Sequence, residues 1–316
     1  MYRSILVPLD GSTFAEHALP VALNLARRSG ATLRLVHVLQ PLASVYSEAP
    51  AFTEGTWDFE GLIKERLRGY LDALALRMAK GSPAEVSTLL LEGEIVPTLL
   101  AHATETKPDL VVLTTHGRSP LGRFWLGSAA DELVRVLPMP LLMVRPSEDA
   151  VPDFDVEPPL KNVLIPLDGS PLAEKMIRPA VALGRLTNAA YTLLRVVKPV
   201  PPVAFPIGSP MLDVQAQSVL SRIGKIQGQL CKEALAYLDG VAGPLRAEGL
   251  QVTTKVAIDE RPGVAILQEA VSPAVDVVAL ETHGRHGLSR LLLGSVADKV
   301  IRGSTVPVLV HRPHHA

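Results

Sequence analysis

Two short polar segments recur where a buried strand would end. Asp10-Gly11-Ser12 follows the apolar residues 5–9, and Asp168-Gly169-Ser170 follows residues 163–167. A carboxylate at such a position can accept a hydrogen bond from a ribose hydroxyl or a base amine. Asp-Gly-Ser is also a frequent turn sequence. The residue types therefore leave a ligand-binding and a purely structural interpretation open.

A second recurring pair, Gly127-Ser128 and Gly294-Ser295, stands at the start of two predicted helices. The free amides and the positive dipole end of a helix N-terminus attract phosphate, and glycine lets an anion approach the backbone. The alternative interpretation is an ordinary N-cap. Found together with the aspartates, twice, these pairs indicate a phosphate-binding edge.

The loops before these glycines carry further polar residues. Four arginines could lean over bound phosphates: Arg118, Arg123, Arg285 and Arg290. His116 and His283 could transfer a proton or simply orient the loop. The chain has no Gly-x4-Gly-Lys-Ser/Thr motif, and no dinucleotide-type Gly-x-Gly-x2-Gly follows the first strand. A dehydrogenase is therefore rejected, and no catalytic residue is assigned.

These segments belong to an internal duplication. Thr115-His116-Gly117-Arg118 reappears as Thr282-His283-Gly284-Arg285, offset by 167 residues, whereas the two Asp-Gly-Ser segments are offset by 158. The second copy thus holds a net nine extra residues, which we place in the Pro-rich loop at 198–210. We predict a first copy at 1–146, an acidic, Pro-rich, extended and solvated linker at 147–159, and a second copy at 160–313.

Strand-like and helix-like segments alternate along each copy. The first copy has strands predicted at 5–9, 32–39, 85–91, 110–114 and 141–144, and helices at 15–29, 61–80, 95–106 and 128–137. Gly30 marks the end of the first helix. Five nearly all-apolar strands separated by four helices predict a parallel sheet covered on both faces, a doubly wound α/β fold. Ligands bind such sheets beyond the carboxyl ends of the strands, where the motifs lie.

Composition excludes several classes of protein. The 316 residues include 31 Lys and Arg against 32 Asp and Glu, so no general nucleic-acid binder is indicated. No apolar run reaches the ~20 residues of a membrane-inserted helix, and the N-terminus lacks a signal-peptide pattern, so we expect a cytoplasmic protein. The lone Cys231 excludes internal disulfides and cysteine-based metal sites, and is expected to be structural.

At this point the sequence resembles the universal stress protein family over both copies. The family pattern is Val-Asp-Gly-Ser near the start and Gly-x2-Gly-x9-Gly-Ser/Thr after strand four. Gly117 and Gly284 match the second glycine of that pattern, each followed after nine residues by Gly-Ser. The resemblance implies two Rossmann-like domains of the adenine nucleotide alpha hydrolase-like type, each a five-stranded sheet of order 3-2-1-4-5. It also implies that the two fifth strands pair within the chain, with a homodimer of two chains left open.

The resemblance further implies ATP binding, with Mg²⁺ or Mn²⁺ accompanying the phosphates and no dedicated metal residues. The nucleotide-binding positions that it implies in the first copy are Pro8, Leu9, Asp10, Val38, Thr114, His116, Gly117, Arg118, Gly127, Ser128 and Ala129. The matching positions in the second copy are Pro166, Leu167, Asp168, Val196, Gly284, Arg285, Gly294, Ser295 and Val296.

The chain departs from the family pattern at its first glycine. Thr114 stands there in the first copy and Glu281 in the second. A glutamate directed at a triphosphate would repel it by up to ~4 kcal/mol per charge pair at 4 Å and an effective dielectric constant of about 20. A Glu281 side chain that points away from the phosphates, or accepts a hydrogen bond from the ribose, would not repel them. We therefore expect the first copy to bind ATP more tightly.

The expected function is a stress-response protein that senses or regulates through adenine-nucleotide occupancy. One alternative is a slow ATPase, with a loop histidine taking part. Another is a non-nucleotide interaction or lipid-binding module, in which the apolar loop at 199–207 covers a cavity.

Overall fold

The computed structural model describes residues 2–41, 59–80, 84–115, 126–146, 151–201, 210–282 and 293–312. The elements of the first copy, in chain order, are β1 (Ser4–Leu9), α1 (Thr13–Glu16), α2 (Ala18–Ser29), β2 (Thr32–Leu39), α3 (Phe59–Ala79), β3 (Val86–Glu92), α4 (Ile95–Thr106), β4 (Leu110–Thr114), α5 (Ser128–Val136) and β5 (Leu141–Val144). Those of the second copy are β6 (Asn162–Pro166), α6 (Pro171–Glu174), α7 (Ile177–Thr187), β7 (Ala190–Val197), α8 (Pro210–Ala247), β8 (Val252–Ile258), α9 (Pro262–Ala270), β9 (Val277–Glu281), α10 (Ser295–Gly303) and β10 (Val308–His311).

The ten strands form one sheet in the order β3-β2-β1-β4-β5-β10-β9-β6-β7-β8. Pairing is parallel within each copy, and the order 3-2-1-4-5 is confirmed. The two fifth strands pair antiparallel, with Leu142 opposite Leu309. The predicted pairing of the two copies within one chain is therefore confirmed.

Helices cover both faces of this sheet, which explains why its central strands β4, β5, β9 and β10 are nearly all apolar. On one face, called here the α2 face, the core is formed with α2, α3, α7 and α8. On the other, the α5 face, it is formed with α4, α5, α9 and α10. Each core runs across both copies. Neighbouring residues of a strand alternate between the faces, so Val112 lies on the α2 face and Val111 on the α5 face.

The first predicted helix is divided in two. Ser12 caps α1, its Oγ accepting from the Ala15 amide at 3.2 Å, and His17 separates α1 from α2. The prediction of four helices in this copy is therefore wrong, because the Asp-Gly-Ser turn begins its own short helix. Gly30 ends α2 as predicted, in the left-handed region at φ 70°.

The extra length of the second copy does not lie in its Pro-rich loop. Helix α8 has 38 residues, whereas α3, which follows the corresponding strand of the first copy, has 21. Fewer residues separate β7 from α8 than separate β2 from α3. The prediction that the loop at 198–210 holds the added residues is therefore wrong, and the long helix accounts for them.

The described part of the linker contacts the first copy rather than lying wholly in solvent. Phe154 is half-buried, with the Arg77 guanidinium 4.8 Å from its ring centre. The Glu157 carboxylate lies 2.6 Å from Arg28. Residues 151–160 form no helix or strand, as predicted, but an aromatic side chain gains from leaving water. The expectation of a fully solvated linker is wrong for Phe154.

Ion pairs join helices α5 and α10 across the boundary between the copies. Arg302 donates to Asp131 of the first copy at 2.9 Å and to Asp298 of its own helix at 2.8 Å. Arg135 donates to Asp131 at 3.0 and 3.1 Å. Asp131 thus accepts from one arginine of each copy.

We expect Arg302→Ala to loosen the joint between the copies, whereas Lys255→Ala, which removes an ion pair lying wholly within the second copy, should not. The side chains of Arg302 and Asp131 are a quarter to a third exposed, so the lost ion pair should cost about 1 kcal/mol. Amide exchange at Met143 and Val308, which face each other in the antiparallel pair, should then accelerate about fivefold. Equal acceleration in both variants would contradict a bridging role for Arg302.

Candidate functional site

The Asp-Gly-Ser segments fold into the same turn in both copies. Asp10 Oδ1 accepts from the Ser12 amide at 2.9 Å and from the Ser12 hydroxyl at 2.6 Å. Asp168 Oδ1 accepts from the amide and hydroxyl of Ser170 at the same two distances. The middle glycine has a positive φ in each turn, 82° for Gly11. The structural role considered for these aspartates is therefore real. Binding of a ligand remains a prediction.

The start of α5 is tied to the carboxyl end of β4. The Gly127 amide donates to the Thr115 carbonyl at 2.8 Å, and the Thr115 amide donates to Val144 of β5 at 2.9 Å. In the second copy Gly294 donates to Thr282 at 2.8 Å, and Thr282 to His311 at 3.1 Å. Each loop that carries the family motif thus has its two ends joined. The N-terminus of the following helix lies at the sheet edge, as the sequence predicts.

Glycine is the N-cap of both helices. Gly127 has φ −58° and ψ 146°, and no side chain caps α5. Gly294 has similar angles, φ −61° and ψ 141°, and no side chain caps α10. Ser128 and Ser295, which follow, are exposed. A nine-residue helix that begins in this way presents backbone amides and a positive dipole end outward, an arrangement suited to an anion such as phosphate.

The predicted apolar contacts lie on the face of the sheet where these helices begin. Val38 belongs to the core of the α5 face, and Val196, Ala129 and Val296 pack against it. Pro8, just before Leu9, and Pro166, just before Leu167, are half-buried. In each copy, the structure therefore places a valine, a proline and the start of a helix near the carboxyl ends of the strands, on the α5 face.

The predicted leucine and threonine positions lie on the other face of the sheet, the α2 face. Leu9 and Leu167 are buried in the core of the α2 face, so only their backbone can meet a ligand. Thr114 is buried at the end of β4 on that same face by strand alternation. Sequence reasoning missed the role of Thr115 and Thr282, whose carbonyls hold the glycine amides. The repeated Thr-His-Gly-Arg segment was the signal that could have found them.

Several predicted positions lie outside the described residues. These are the loop positions His116, Gly117, Arg118, Arg123, His283, Gly284, Arg285 and Arg290. Most of the apolar loop at 199–207 lies outside them as well, and so does the end of the chain after Arg312. The predictions made for these residues stay predictions.

Glu281 does not face the start of α10. Val277 and Ala279 of β9 lie on the α2 face and Val278 and Leu280 on the α5 face, so Glu281 projects to the α2 face. There its Oε1 lies 2.9 Å from His311 Nδ1. Burial raises the pKa of Glu281, while the hydrogen bond with His311 and the charge of Lys175 oppose that rise. The carboxylate of Glu281 is therefore not directed at the predicted triphosphate position.

Within the described part of the chain, no group of three or more His, Cys, Asp or Glu side chains is arranged to hold a metal ion. In the same residues, no helix is long and apolar enough to cross a membrane. Cys231 is half-buried in α8, 3.8 Å from Gln227 Nε2.

Comparison with known proteins decides the family. The model of the universal stress protein family matches residues 1–145 and again 159–312. The chain belongs to the universal stress protein family. Its two matches correspond to the two copies, which we now call the first and second universal stress protein domains.

Relatives of similar length match nearly the whole chain. Universal stress protein Rv2005c of Mycobacterium tuberculosis is 29% identical over 98% of this chain and 97% of its own length. A universal stress protein from Archaeoglobus fulgidus has a similar fold, with a TM-score of 0.63, 18% identity and coverage of 98% of this chain and 96% of its own. A smaller universal stress protein solved in complex with cAMP covers 46% of this chain and 98% of its own, at 23% identity and a TM-score of 0.34.

Proposed function

We propose that each universal stress protein domain of the chain binds one molecule of ATP at the carboxyl ends of its own strands. Nucleotide occupancy would change its shape or its partners as part of a stress response in the cytoplasm. The observation that carries this proposal is the glycine-capped helix start, tied to the end of the fourth strand, in both domains. The triphosphate would meet the free amides of residues 128–130 or 295–297, since the glycine amides are bound to Thr115 and Thr282, and Val38 or Val196 would contact the adenosine.

We propose that the first domain is the tighter site. Direct repulsion by Glu281 is not the reason, since its carboxyl lies on the α2 face against His311. The buried carboxyl of Glu281 would affect ATP affinity only indirectly, through the backbone of Thr282, which holds the Gly294 amide. We therefore expect an affinity difference of a few-fold rather than the several hundred-fold that a contact between Glu281 and phosphate would produce.

Mg²⁺ or Mn²⁺ would arrive with the nucleotide. The described residues offer no carboxylate cluster for it, so phosphate and water oxygens would supply most ligands. The protein's contribution is the cup of backbone amides, which fits an anion and not a cation.

Calorimetric titration of the full chain with MgATP tests the proposal. We expect saturable binding that approaches two nucleotides per chain, with weaker binding of AMP and cAMP, because fewer phosphate oxygens meet the helix amides. GTP serves as the control for the base. The proposal is wrong if no nucleotide binds at millimolar concentration to protein from which co-purifying nucleotide has been removed.

A further inference from the structure

Glu281, which is buried, and His311, which is half-buried, form an acid–base pair in the second domain. The Glu281 side chain is 1% exposed, its Oε1 lies 2.9 Å from His311 Nδ1, and the two residues are neighbours across the parallel strands β9 and β10. The other carboxyl oxygen, Oε2, is buried and forms no hydrogen bond with any described residue. A carboxyl in this setting is expensive to ionise.

The corresponding positions of the first domain cannot titrate. Thr114 and Val144 are the matching neighbours across β4 and β5. The backbone around them is otherwise the same, since Thr115 and Gly127 make the bonds that Thr282 and Gly294 make in the second domain. The first domain is therefore an internal control for the acid–base pair.

The pair adjoins the backbone that holds the second candidate site. Thr282, next to Glu281 in the chain, donates its amide to the carbonyl of His311 at 3.1 Å and accepts from Gly294 at 2.8 Å. Any movement of Glu281 or His311 therefore acts on the two hydrogen bonds that fix the start of α10.

The charged groups acting on the carboxyl of Glu281 come from two described elements. His311 faces it from β10, and Lys175, at the end of α6, acts on it through its charge. On the β6 side the chain continues through Pro166 and Leu167, which carry no charge, to Asp168, whose Oδ1 accepts from the amide and the hydroxyl of Ser170. Burial, the largest effect, raises the pKa of Glu281 in the folded state. Its contribution to stability is thus fully present below the ordinary carboxyl pKa of 4.5 and is lost as the pH rises through the folded-state value.

We propose that Glu281 and His311 share one proton in the folded second domain, and that losing this proton loosens the start of α10. Nucleotide binding in the second domain then weakens as the pH rises, while binding in the first does not. The pH dependence of binding rests on the proposed function. The loosening of the backbone does not, and it can be measured without any ligand.

The first experiment follows amide protection in the ligand-free full chain between pH 5.5 and 8.5. Protection of Thr282 and Gly294, corrected for intrinsic exchange, should fall with rising pH by about tenfold for each unit by which the folded-state pKa is raised. Protection of Thr115 and Gly127 should stay constant. In Glu281→Gln the profile of the second domain should become flat. The double variant Glu281→Thr/His311→Val, which copies the first domain, should also give a flat profile. It replaces the glutamine variant if that variant folds poorly.

The second experiment titrates MgATP over the same pH range into a chain whose first site is blocked by Gly127→Asp. Affinity of the second site should fall with rising pH and become independent of pH in the double variant. Equal and constant protection at the two glycines would overturn the proton-sharing proposal. Protection that depends on pH, with no ATP bound to the unmodified chain at any pH, would leave that proposal standing and overturn the proposed function.

Discussion

Gly127→Asp should lower the affinity of the first domain for ATP by about 100-fold or more without harming the fold. Aspartate is among the best N-cap residues, and the backbone angles at Gly127 lie in a region open to any residue. The new carboxylate would accept from the first amides of α5 and so occupy the cup meant for phosphate. Like charges about 4 Å apart add repulsion of up to ~4 kcal/mol at an effective dielectric constant of about 20. Calorimetry gives the affinity, and thermal unfolding should show equal or higher stability.

Two companion variants separate charge from shape. Gly127→Asn adds a cap of similar size without the charge, so it should weaken binding by roughly tenfold only. Gly294→Asp should remove binding from the second domain and leave the first intact. If Gly127→Asp binds ATP as the unmodified chain does, phosphate does not sit at the start of α5.

Gly184→Ala should destabilise the second domain by about 2 kcal/mol. A Cβ at this position in α7 would stand 2.3 Å from the Tyr191 hydroxyl and 2.7 Å from the ring carbon that bears it. The tyrosine is fully buried, and its hydroxyl donates to the Val181 carbonyl at 3.3 Å. Overpacking at such short distances costs about 3 kcal/mol, the upper end of the usual range, and the ~1 kcal/mol that alanine contributes as a helix former leaves a net loss of about 2 kcal/mol. Chemical denaturation gives the loss in free energy of unfolding.

The first domain supplies the compensating change. Ala26 and Leu33 stand where Gly184 and Tyr191 stand in the second domain, and both are buried without exposure. Adding Tyr191→Leu to Gly184→Ala should therefore recover most of the lost stability. Gly228→Ala is the matched control, because a Cβ there meets nothing within 4 Å, and it should stabilise the chain slightly. Equal losses for the two alanine variants would rule out the clash with Tyr191 as the cause.

Much of the fold could be predicted from local pattern. Residues 95–106, 110–114 and 141–144 have the predicted bounds because each is a periodic or continuous apolar run between clear stop residues. The bounds of α8 could not be predicted, because a long exposed helix has only a weak apolar period and proline-rich residues precede it. The contact of Phe154 with Arg77 joins residues far apart in the chain, and no local pattern reports it.

The sequence by itself determined the duplication, the alternation of strand and helix, and the position of Asp10, Gly127, Asp168 and Gly294 at the carboxyl ends of the strands of their own copies. Only the tertiary structure decided which face Glu281 occupies. The physical reason is that β9 is buried on both sides, so apolar residues fill both faces and the alternation that would distinguish them is invisible in the sequence. The partner of Glu281 follows from strand order and register, which bring β10 beside β9 and set His311 opposite the carboxyl.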